Sequence, residues 1–202
     1  RVILVASALP NEGAETIASN LAHHYALTGT RVLLADVDAR RQPLTRQLAP
    51  QRMMGFADQL IMNRPVEAAV LRDGLTGLHF LPAAGDAPLS RSVPEILASP
   101  ITAAALARLK TRFEVIVLSA PPLLPVSDGR ILADYADQIV FVMTWQKTPK
   151  ALAKKALQTL GPNGMKMAGV VLSEVYDDSD RHYLTMLAQA SSAPPRRSRS
   201  AA

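Results

Sequence analysis

Short apolar runs that alternate with longer amphipathic segments are the feature that most constrains how this chain can fold. Apolar residues recur at helical spacing in residues 16–27, 101–111 and 148–160, so we expect helices there. The runs that we expect to form strands are residues 2–6, 31–35, 77–81, 115–118, 138–143 and 168–172. Near-continuous apolar strands separated by helices predict an α/β fold, in which helices cover both faces of a mostly parallel central sheet.

Polar side chains follow four of the expected strands at the point where each strand ends. Residues 7–15 follow the first run, Asp36 and Asp38 follow the second, Ser119 follows the fourth and Ser173 follows the last. In parallel sheets the carboxyl ends of the strands share one edge, and ligands bind there. The sequence therefore predicts a site that these four strand ends build together.

The segment Ala-Leu-Pro-Asn-Glu-Gly-Ala-Glu-Thr at residues 8–16 joins the first expected strand to the first expected helix. This is the context of a phosphate-binding P-loop, whose pattern is Gly or Ala, four residues, and then Gly-Lys-Ser/Thr. Ala8 and Gly13 keep the frame, but Ala14 stands at the lysine position and Glu15 stands at the hydroxyl position. The alternative is a loop that merely enters a helix, with Glu15 favoured in the first turn by the helix dipole.

These changes affect the side chains of the loop more than its backbone. A tight loop permitted by Gly13 still presents backbone N–H groups to an anion. One unit-charge contact near 4 Å contributes roughly 4 kcal/mol at an effective dielectric constant of about 20, before desolvation. Losing the lysine and adding Glu15 should weaken triphosphate binding by orders of magnitude, although Thr16 still offers a hydroxyl. We therefore expect ATP or ADP with Mg²⁺ to bind weakly or not at all.

Two carboxylates follow the second expected strand. Residues two apart on an extended chain lie on one face, so Asp36 and Asp38 have the spacing to hold Mg²⁺ if a nucleotide binds. The alternative is a helix-capping aspartate beside a surface salt bridge. The fourth strand ends at Ser119 and runs into the rigid pair Pro121 and Pro122.

The composition describes one globular domain followed by a different kind of segment. The chain has 202 residues, 49% of them hydrophobic, and we place one buried domain at residues 1–190. Without cysteine it forms neither disulfides nor cysteine-ligated metal sites, and no apolar run is long enough to span a bilayer.

Residues 191–202 carry Arg196, Arg197 and Arg199 and predict a disordered basic tail, either a solvated terminus or a contact with anionic lipid or nucleic acid. Because few aromatic residues accompany this charge, nucleic acid is not an expected partner. The chain begins inside its first expected strand, which suggests a piece of a longer protein.

The motifs resemble those of the bacterial tyrosine kinases (BY-kinases) of capsule and exopolysaccharide assembly, which are P-loop ATPases related to the Min and Par ATPases. Residues 7–16 match the first motif of that family and are followed by its Asn-Leu-Ala at residues 20–22. Residues 33–40 match its Leu-Leu-x-Asp-x-Asp-x-Arg motif, and residues 119–122 with 127–130 match its third motif. The resemblance covers almost the whole chain in the order of the family. It implies a three-layer P-loop NTPase-like sandwich.

The resemblance also implies which residues would form the site. The catalytic positions would be Asp36, Asp38, Arg40, Ser119 and Asp128, with Ser119 in place of an aspartate. The nucleotide would lie against Ala8, Pro10, Asn11, Glu12, Gly13, Ala14, Glu15 and Thr16, with Ser173 where related ATPases often carry an asparagine near the adenine.

The departures from the family pattern fall where the family does its chemistry, at Ala14, Glu15 and Ser119. The tyrosine-rich C-terminal cluster is also missing, since only Tyr183 follows Asp177. The resemblance therefore implies a pseudokinase, a catalytically dead or impaired domain that acts as a scaffold or regulator in exopolysaccharide synthesis and export. It further implies a cytoplasmic domain in a homo- or hetero-oligomer, fused to or partnered with a transmembrane polysaccharide co-polymerase of the inner membrane.

Two other functions stay open at this stage. In one, the chain is an active, non-standard tyrosine autokinase of the same pathway, in which Glu15, Asp36 and Asp38 hold Mg²⁺ and Asp128 substitutes for the carboxylate missing at Ser119. In the other, it is a Par-like ATPase that binds DNA non-specifically through its basic tail, with a steep dependence on salt.

Overall fold

The computed structural model describes residues 1–51, 54–85 and 90–175, so the predicted tail, the boundary at residue 190 and Tyr183 lie outside the described residues. Its strands are β1 (Val2–Ser7), β2 (Val32–Asp36), β3 (Leu71–Arg72), β4 (His79–Leu81), β5 (Val115–Ser119), β6 (Gln138–Thr144) and β7 (Met167–Ser173). They form one sheet in the order β3-β4-β2-β5-β1-β6-β7. All neighbours pair in parallel except β3 and β4, so the prediction of a mostly parallel sheet is confirmed.

Helices cover both faces of this sheet. They are α1 (Ala14–Leu27), α2 (Pro43–Leu48), α3 (Phe56–Ile61), α4 (Val93–Leu97), α5 (Pro100–Arg112), α6 (Asp128–Tyr135) and α7 (Lys150–Thr159), with 3-10 helices at Val66–Ala69 and Gly161–Lys166. Two apolar clusters result, one that includes α1 and one that includes α3 to α7. The three-layer P-loop NTPase-like architecture is therefore confirmed.

The elements that the sequence analysis did not name are short. They are β3, α2, α3, α4 and α6, none longer than eight residues. A helix of six residues shows less than two turns of periodicity, which is too little for an apolar repeat to stand out. The long predicted helices are all present, with α7 beginning at Lys150 because Pro149 stands at its N-cap. Packing, rather than local sequence preference, defines the short elements.

The strand order brings the predicted site together. β1 lies between β5 and β6, while β2 lies on the other side of β5 and β7 on the other side of β6. The loops after β1, β2 and β5 and the end of β7 therefore lie along one edge of the sheet, as the sequence predicts. In the part of the chain that the structure describes, no helix has both the length and the apolar composition needed to cross a bilayer.

Candidate functional site

The loop after β1 keeps the backbone course that an anion-binding turn requires. Asn11 and Gly13 have positive φ angles of 63° and 84°, and Gly13 is the N-cap of α1. The first N–H groups of α1, from Ala14 onward, have no partner within the helix because of helical geometry. A side chain on Gly13 would lie 3.4 Å from the Cβ of Ser173, and its φ favours glycine in any case. The frame that Ala8 and Gly13 predict is thus a real strand–loop–helix turn.

Glu12 fastens this loop to the rest of the protein. Its side chain is buried, and Oε2 accepts a hydrogen bond from the Leu9 N–H at 2.8 Å. Oε1 accepts the hydroxyl of Thr148, which lies just before α7. The carbonyl oxygen of Glu12 accepts the hydroxyl of Ser173 at 2.7 Å. Ser173 therefore ties the end of β7 to the loop, and its position near an adenine stays a prediction.

No side chain of the loop supplies a cation at the lysine position. Ala14 is 3% exposed and packs into the apolar cluster that includes α1. Glu15 is half-buried and Thr16 is exposed on the first turn of α1. The exposed Asn11 accepts a hydrogen bond through Oδ1 from Nη2 of Arg41 at 2.6 Å. The guanidinium of Arg41, from the loop after β2, thus contacts the side-chain amide of Asn11 and does not reach the start of α1.

Asp36 ends β2 with its carboxylate directed into the protein. The residue is fully buried, and Oδ2 accepts hydrogen bonds from the backbone N–H and the hydroxyl of Thr45, at 2.8 and 2.7 Å. Oδ1 accepts the N–H of Asp38 at 3.2 Å. Burial raises the pKa of Asp36 to about 6, against the lowering effect of these hydrogen bonds and with a small addition from the Asp38 charge. Thr45 in turn accepts the N–H of Ala83 at 2.8 Å. Asp36 and Thr45 therefore link the end of β2, helix α2 and the segment after β4.

Asp38 shapes the loop in which it lies. The residue is 3% exposed, and Oδ1 accepts the N–H groups of Arg40 and Arg41 at 3.2 and 2.9 Å. Among the described residues there is no group of three or more histidine, cysteine or acidic side chains arranged to hold a metal ion. That Asp36 and Asp38 hold Mg²⁺ with a bound nucleotide stays a prediction, and both carboxylates already accept internal hydrogen bonds.

Arg40 and Asp128 join the loop after β2 to the start of α6. The guanidinium of Arg40 donates to Oδ2 of Asp128, whose side chain is completely buried, while the Arg40 side chain is 41% exposed. The second oxygen of Asp128, Oδ1, has no hydrogen-bond partner in the described structure. Asp128 therefore serves as the counter-charge of Arg40, which differs from the role that the active-kinase alternative assigns to it.

Ser119 lies beside Asp36 at the centre of this edge. The two residues are register partners in β5 and β2, Ser119 is 2% exposed, and its carbonyl oxygen accepts the Val37 N–H at 3.1 Å. A carboxylate here would adjoin the already buried Asp36, and like charges held close together disfavour ionisation. The segment after Ser119 packs closely against the start of α6. A Cβ atom on Gly129 would lie only 3.0 Å from the carbonyl oxygen of Pro121, so this contact leaves no room for a larger residue.

Sequence reasoning missed three residues that complete the site: Thr45, Thr148 and Arg41. Threonine and arginine at these positions are common in any sequence. Thr45 lies in a helix too short to predict, and the partners of Thr148 and Arg41 are 136 and 30 residues away. The only local signal was Thr148 immediately before Pro149, a composition typical of a helix start.

The fold and this edge define a P-loop NTPase-like α/β protein, and comparison with known proteins narrows the class. No family model matches the chain. It is 36% identical over 174 residues to the succinoglycan biosynthesis transport protein ExoP of Rhizobium meliloti (strain 1021), a match that covers 86% of this chain and 22% of ExoP. It is 29% identical over 171 residues to the tyrosine-protein kinase YwqD of Bacillus subtilis (strain 168), covering 85% of this chain and 71% of YwqD.

A solved structure agrees with these relatives. The kinase domain of VpsO superposes with a TM-score of 0.78 and 29% identity, covering 87% of this chain and 85% of that domain. The homologues of this chain therefore include bacterial tyrosine kinases, as the motifs predict. The chain spans less than a quarter of the length of ExoP and about seven-tenths of the length of YwqD.

Proposed function

We propose that this chain is a BY-kinase-like domain that acts as a scaffold or regulator in exopolysaccharide synthesis and export and does not phosphorylate tyrosine. The observation that carries the proposal is the combination of Ala14, Glu15 and Ser119 within a retained P-loop frame. The two charged groups that a P-loop kinase directs at the phosphates and the metal are absent, while the backbone that would hold them is present.

The charges around the loop support this proposal. Carboxylates are plentiful here, and they belong to Glu12, Glu15, Asp36, Asp38 and Asp128. The cations near them are Arg40 and Arg41, and Arg40 already neutralises Asp128. A triphosphate would therefore approach a site of net negative charge with no lysine. One missing contact near 4 Å costs roughly 4 kcal/mol at an effective dielectric constant of about 20.

The space at this edge supports it too. The cavity between the loops after β1, β2 and β5, lined by Pro10, Asp38, Arg40 and Arg41 with four residues of 121–126, is about 70 Å³. A second cavity beside Glu15 is about 130 Å³. Pre-formed ligand pockets usually measure roughly 300–1,000 Å³. A nucleotide needs more room than either of these two cavities provides.

The place of the domain in the cell is part of the same proposal. A relative named for succinoglycan biosynthesis and transport supports a role in exopolysaccharide export. We infer that the domain lies on the cytoplasmic side of the inner membrane and is fused to or bound by a transmembrane polysaccharide co-polymerase. Its contribution there would be structural, through contacts with neighbouring subunits rather than through phosphate transfer.

Calorimetric titration with Mg·ATP and Mg·ADP tests the proposal directly. The native chain should show little or no heat of binding. The triple variant Ala14→Lys, Glu15→Ser, Ser119→Asp restores the charge, the hydroxyl and the carboxylate, and should gain measurable affinity. A matched variant with Ala14→Met in place of Ala14→Lys has a side chain of similar length without the charge, and should gain much less.

The kinase assay separates the proposal from its main alternative. If the native chain is an active autokinase, phosphotyrosine should accumulate with time on the purified protein and disappear in Asp36→Ala. That result would overturn the proposal. A folded triple variant without any gain in affinity would show instead that the backbone of residues 8–16 no longer binds phosphate.

A further inference from the structure

The charge of this chain is distributed unevenly along its sequence. In residues 1–137 thirteen basic side chains balance thirteen acidic ones, and in residues 174–202 four balance four. Residues 138–173 contain five lysines and neither an aspartate nor a glutamate, so this one segment carries the whole net charge of +5. The segment forms β6, α7, the second 3-10 helix and β7. The excess positive charge therefore lies at one side of the sheet, where β6 and β7 are the last two strands.

Three of these five lysines lie on the outward side of α7. The helix packs on the sheet through Ala153 and Ala156, which are buried. With about 3.6 residues per turn, the lysines of the helix point away from these two alanines. The exposed residues of the helix are Lys150, Ala151, Lys154, Lys155 and Gln158. We call this outward side, defined by those five residues, the α7 surface.

The lysines of the α7 surface have no counter-charge within the described part of the chain. No ion pair involves Lys150, Lys154 or Lys155 there. The two other lysines of the segment differ, because Lys147 lies 2.5 Å from the carboxylate of Glu174 and Lys166 donates to backbone carbonyl oxygens at 2.9 and 3.2 Å. The α7 surface thus presents three uncompensated positive charges to solvent.

The kind of basic residue favours a lipid surface over a nucleic acid. Arginine has a planar fork that recognises individual phosphates, whereas lysine is a compact, strongly hydrated point charge. The chain has sixteen arginines, but residues 138–173 contain none. A leaflet of anionic lipids attracts lysines through its surface potential and requires no fixed position for each phosphate. An array of lysines on the outward side of a helix has the character of such a contact.

An exposed tryptophan precedes the α7 surface. Trp145 is the only tryptophan of the chain and is 42% exposed. It lies in a tight turn before α7, which is closed by hydrogen bonds from the N–H groups of Lys147 and Thr148 to the Thr144 carbonyl oxygen at 3.3 and 3.1 Å. Tryptophan is enriched where proteins meet the membrane–water interface. This side chain therefore supports the choice of a lipid surface.

We propose that the α7 surface binds the surface of a membrane rich in anionic lipids, with α7 lying along that surface. Each lysine near an anionic leaflet strengthens such binding about fivefold, so the three together contribute about a hundredfold. A contact of this strength is reversible and acts together with a second anchor. None of the three lysines belongs to the P-loop site, so the inference stands whether or not that site binds nucleotide.

Co-sedimentation of the full chain with vesicles tests the proposal. At low ionic strength the chain should bind vesicles of equal parts phosphatidylglycerol and phosphatidylcholine but not vesicles of phosphatidylcholine alone, and added salt should weaken the binding. The triple variant Lys150→Gln, Lys154→Gln, Lys155→Gln should lose about a hundredfold in partition coefficient. Arginine at the same three positions keeps the charge and should preserve binding. A native chain that does not bind the anionic vesicles would overturn the proposal.

A matched control removes the same amount of charge elsewhere. The variant Arg196→Gln, Arg197→Gln, Arg199→Gln lowers the net charge by three, as the lysine variant does. It should keep most of the binding. A loss as large as that of the lysine variant would mean that the tail or the net charge attracts the vesicles, and would overturn the proposal. Thermal melts of both variants check that the fold persists.

Site-specific labels test which surface meets the membrane, because the native chain has no cysteine to compete for the label. A fluorophore on Ala151→Cys lies on the α7 surface, and one on Leu75→Cys lies between β3 and β4 at the other side of the sheet, where Leu75 is 96% exposed. Anionic vesicles that carry a nitroxide on a lipid headgroup should quench the first label far more than the second. Equal quenching would overturn the proposal.

Competition with duplex DNA separates the lipid from a nucleic acid partner. At equal concentrations of phosphate groups, DNA of mixed sequence should not displace the chain from the anionic vesicles. Displacement by DNA, together with DNA binding that the three glutamine substitutions abolish, would assign the α7 surface to a nucleic acid and overturn the proposal.

Discussion

The loops after β1 and β2 changed in opposite ways relative to the pattern they resemble. In the first, the backbone turn at Gly13 is retained while Ala14 and Glu15 replace the side chains that handle phosphate. In the second, Asp36 and Arg40 are retained but hold α2 and α6 in place. The proposal that this chain does not phosphorylate tyrosine rests on both differences: a backbone turn without the usual side chains, and carboxylates that already have internal partners. The partners of a residue, more than its identity, indicate its function.

The largest loss of stability should come from removing the side chain of Arg40 in the loop after β2. Arg40→Ala leaves the buried Asp128 carboxyl group without its partner, which should lower the free energy of unfolding by up to about 3–5 kcal/mol, the value for a fully buried pair. Arg41→Ala removes only an exposed contact with Asn11 and should cost less than about 1 kcal/mol. Urea unfolding measures both. The double variant Arg40→Ala, Asp128→Ala should be more stable than Arg40→Ala alone; if it is less stable, the buried charge is not the cause.

The next effect should appear in the dependence of stability on pH. The pKa of Asp36 is about 6 in the folded protein against 3.8 as the ordinary value, so the folded state binds this proton more tightly. Asp36 therefore contributes a loss of stability as the pH rises from about 4 to about 6, of up to roughly 3 kcal/mol. The free energy of unfolding of the native chain minus that of Asp36→Asn, measured at each pH, isolates this contribution from those of the other carboxyl groups. A difference that stays flat between pH 4 and 7 would contradict the assignment.

Substitutions that affect the loop after β1 should lower the free energy of unfolding less than those in the loop after β2. Thr148→Val removes the hydroxyl that Glu12 accepts and leaves a buried carboxylate oxygen without a donor, at a cost of about 1–3 kcal/mol. Thr148→Ser keeps the hydroxyl and should cost much less. Chemical denaturation of the two variants gives the comparison. Equal losses would indicate that the methyl group of Thr148, and not its hydrogen bond, matters.

The smallest effect should be that of nucleotide on the native chain. A ligand at a hundred times its dissociation constant stabilises the folded state by about 2.7 kcal/mol. We expect millimolar Mg·ATP to leave the melting temperature essentially unchanged, while the triple variant with restored P-loop side chains should show a rise. A large Mg²⁺-dependent rise in the native chain would mean that the altered first loop still binds nucleotide.

Most of the fold followed from the apolar pattern of the sequence: β1, β2 and β5 are runs of buried residues, and β6 and β7 are apolar runs that are only partly buried or exposed. The expected strand at 77–81 was right in place but pairs only over His79–Leu81. β3 escaped prediction because it has two residues and depends on β4 for its hydrogen bonds. The approach of the strand ends was predictable because parallel strands must end at one edge.

The sequence by itself determined the fold class, the P-loop frame and the three positions where the side chains of that frame are replaced, because these depend on residue identity and spacing along the chain. Only the tertiary structure decided that Asp36 is capped by Thr45, that Arg40 pairs with Asp128 and that Glu12 fastens the loop to Thr148 and Ser173. Those partners lie between 9 and 161 residues apart, so the sheet order and the burial it creates, rather than any local pattern, bring them together.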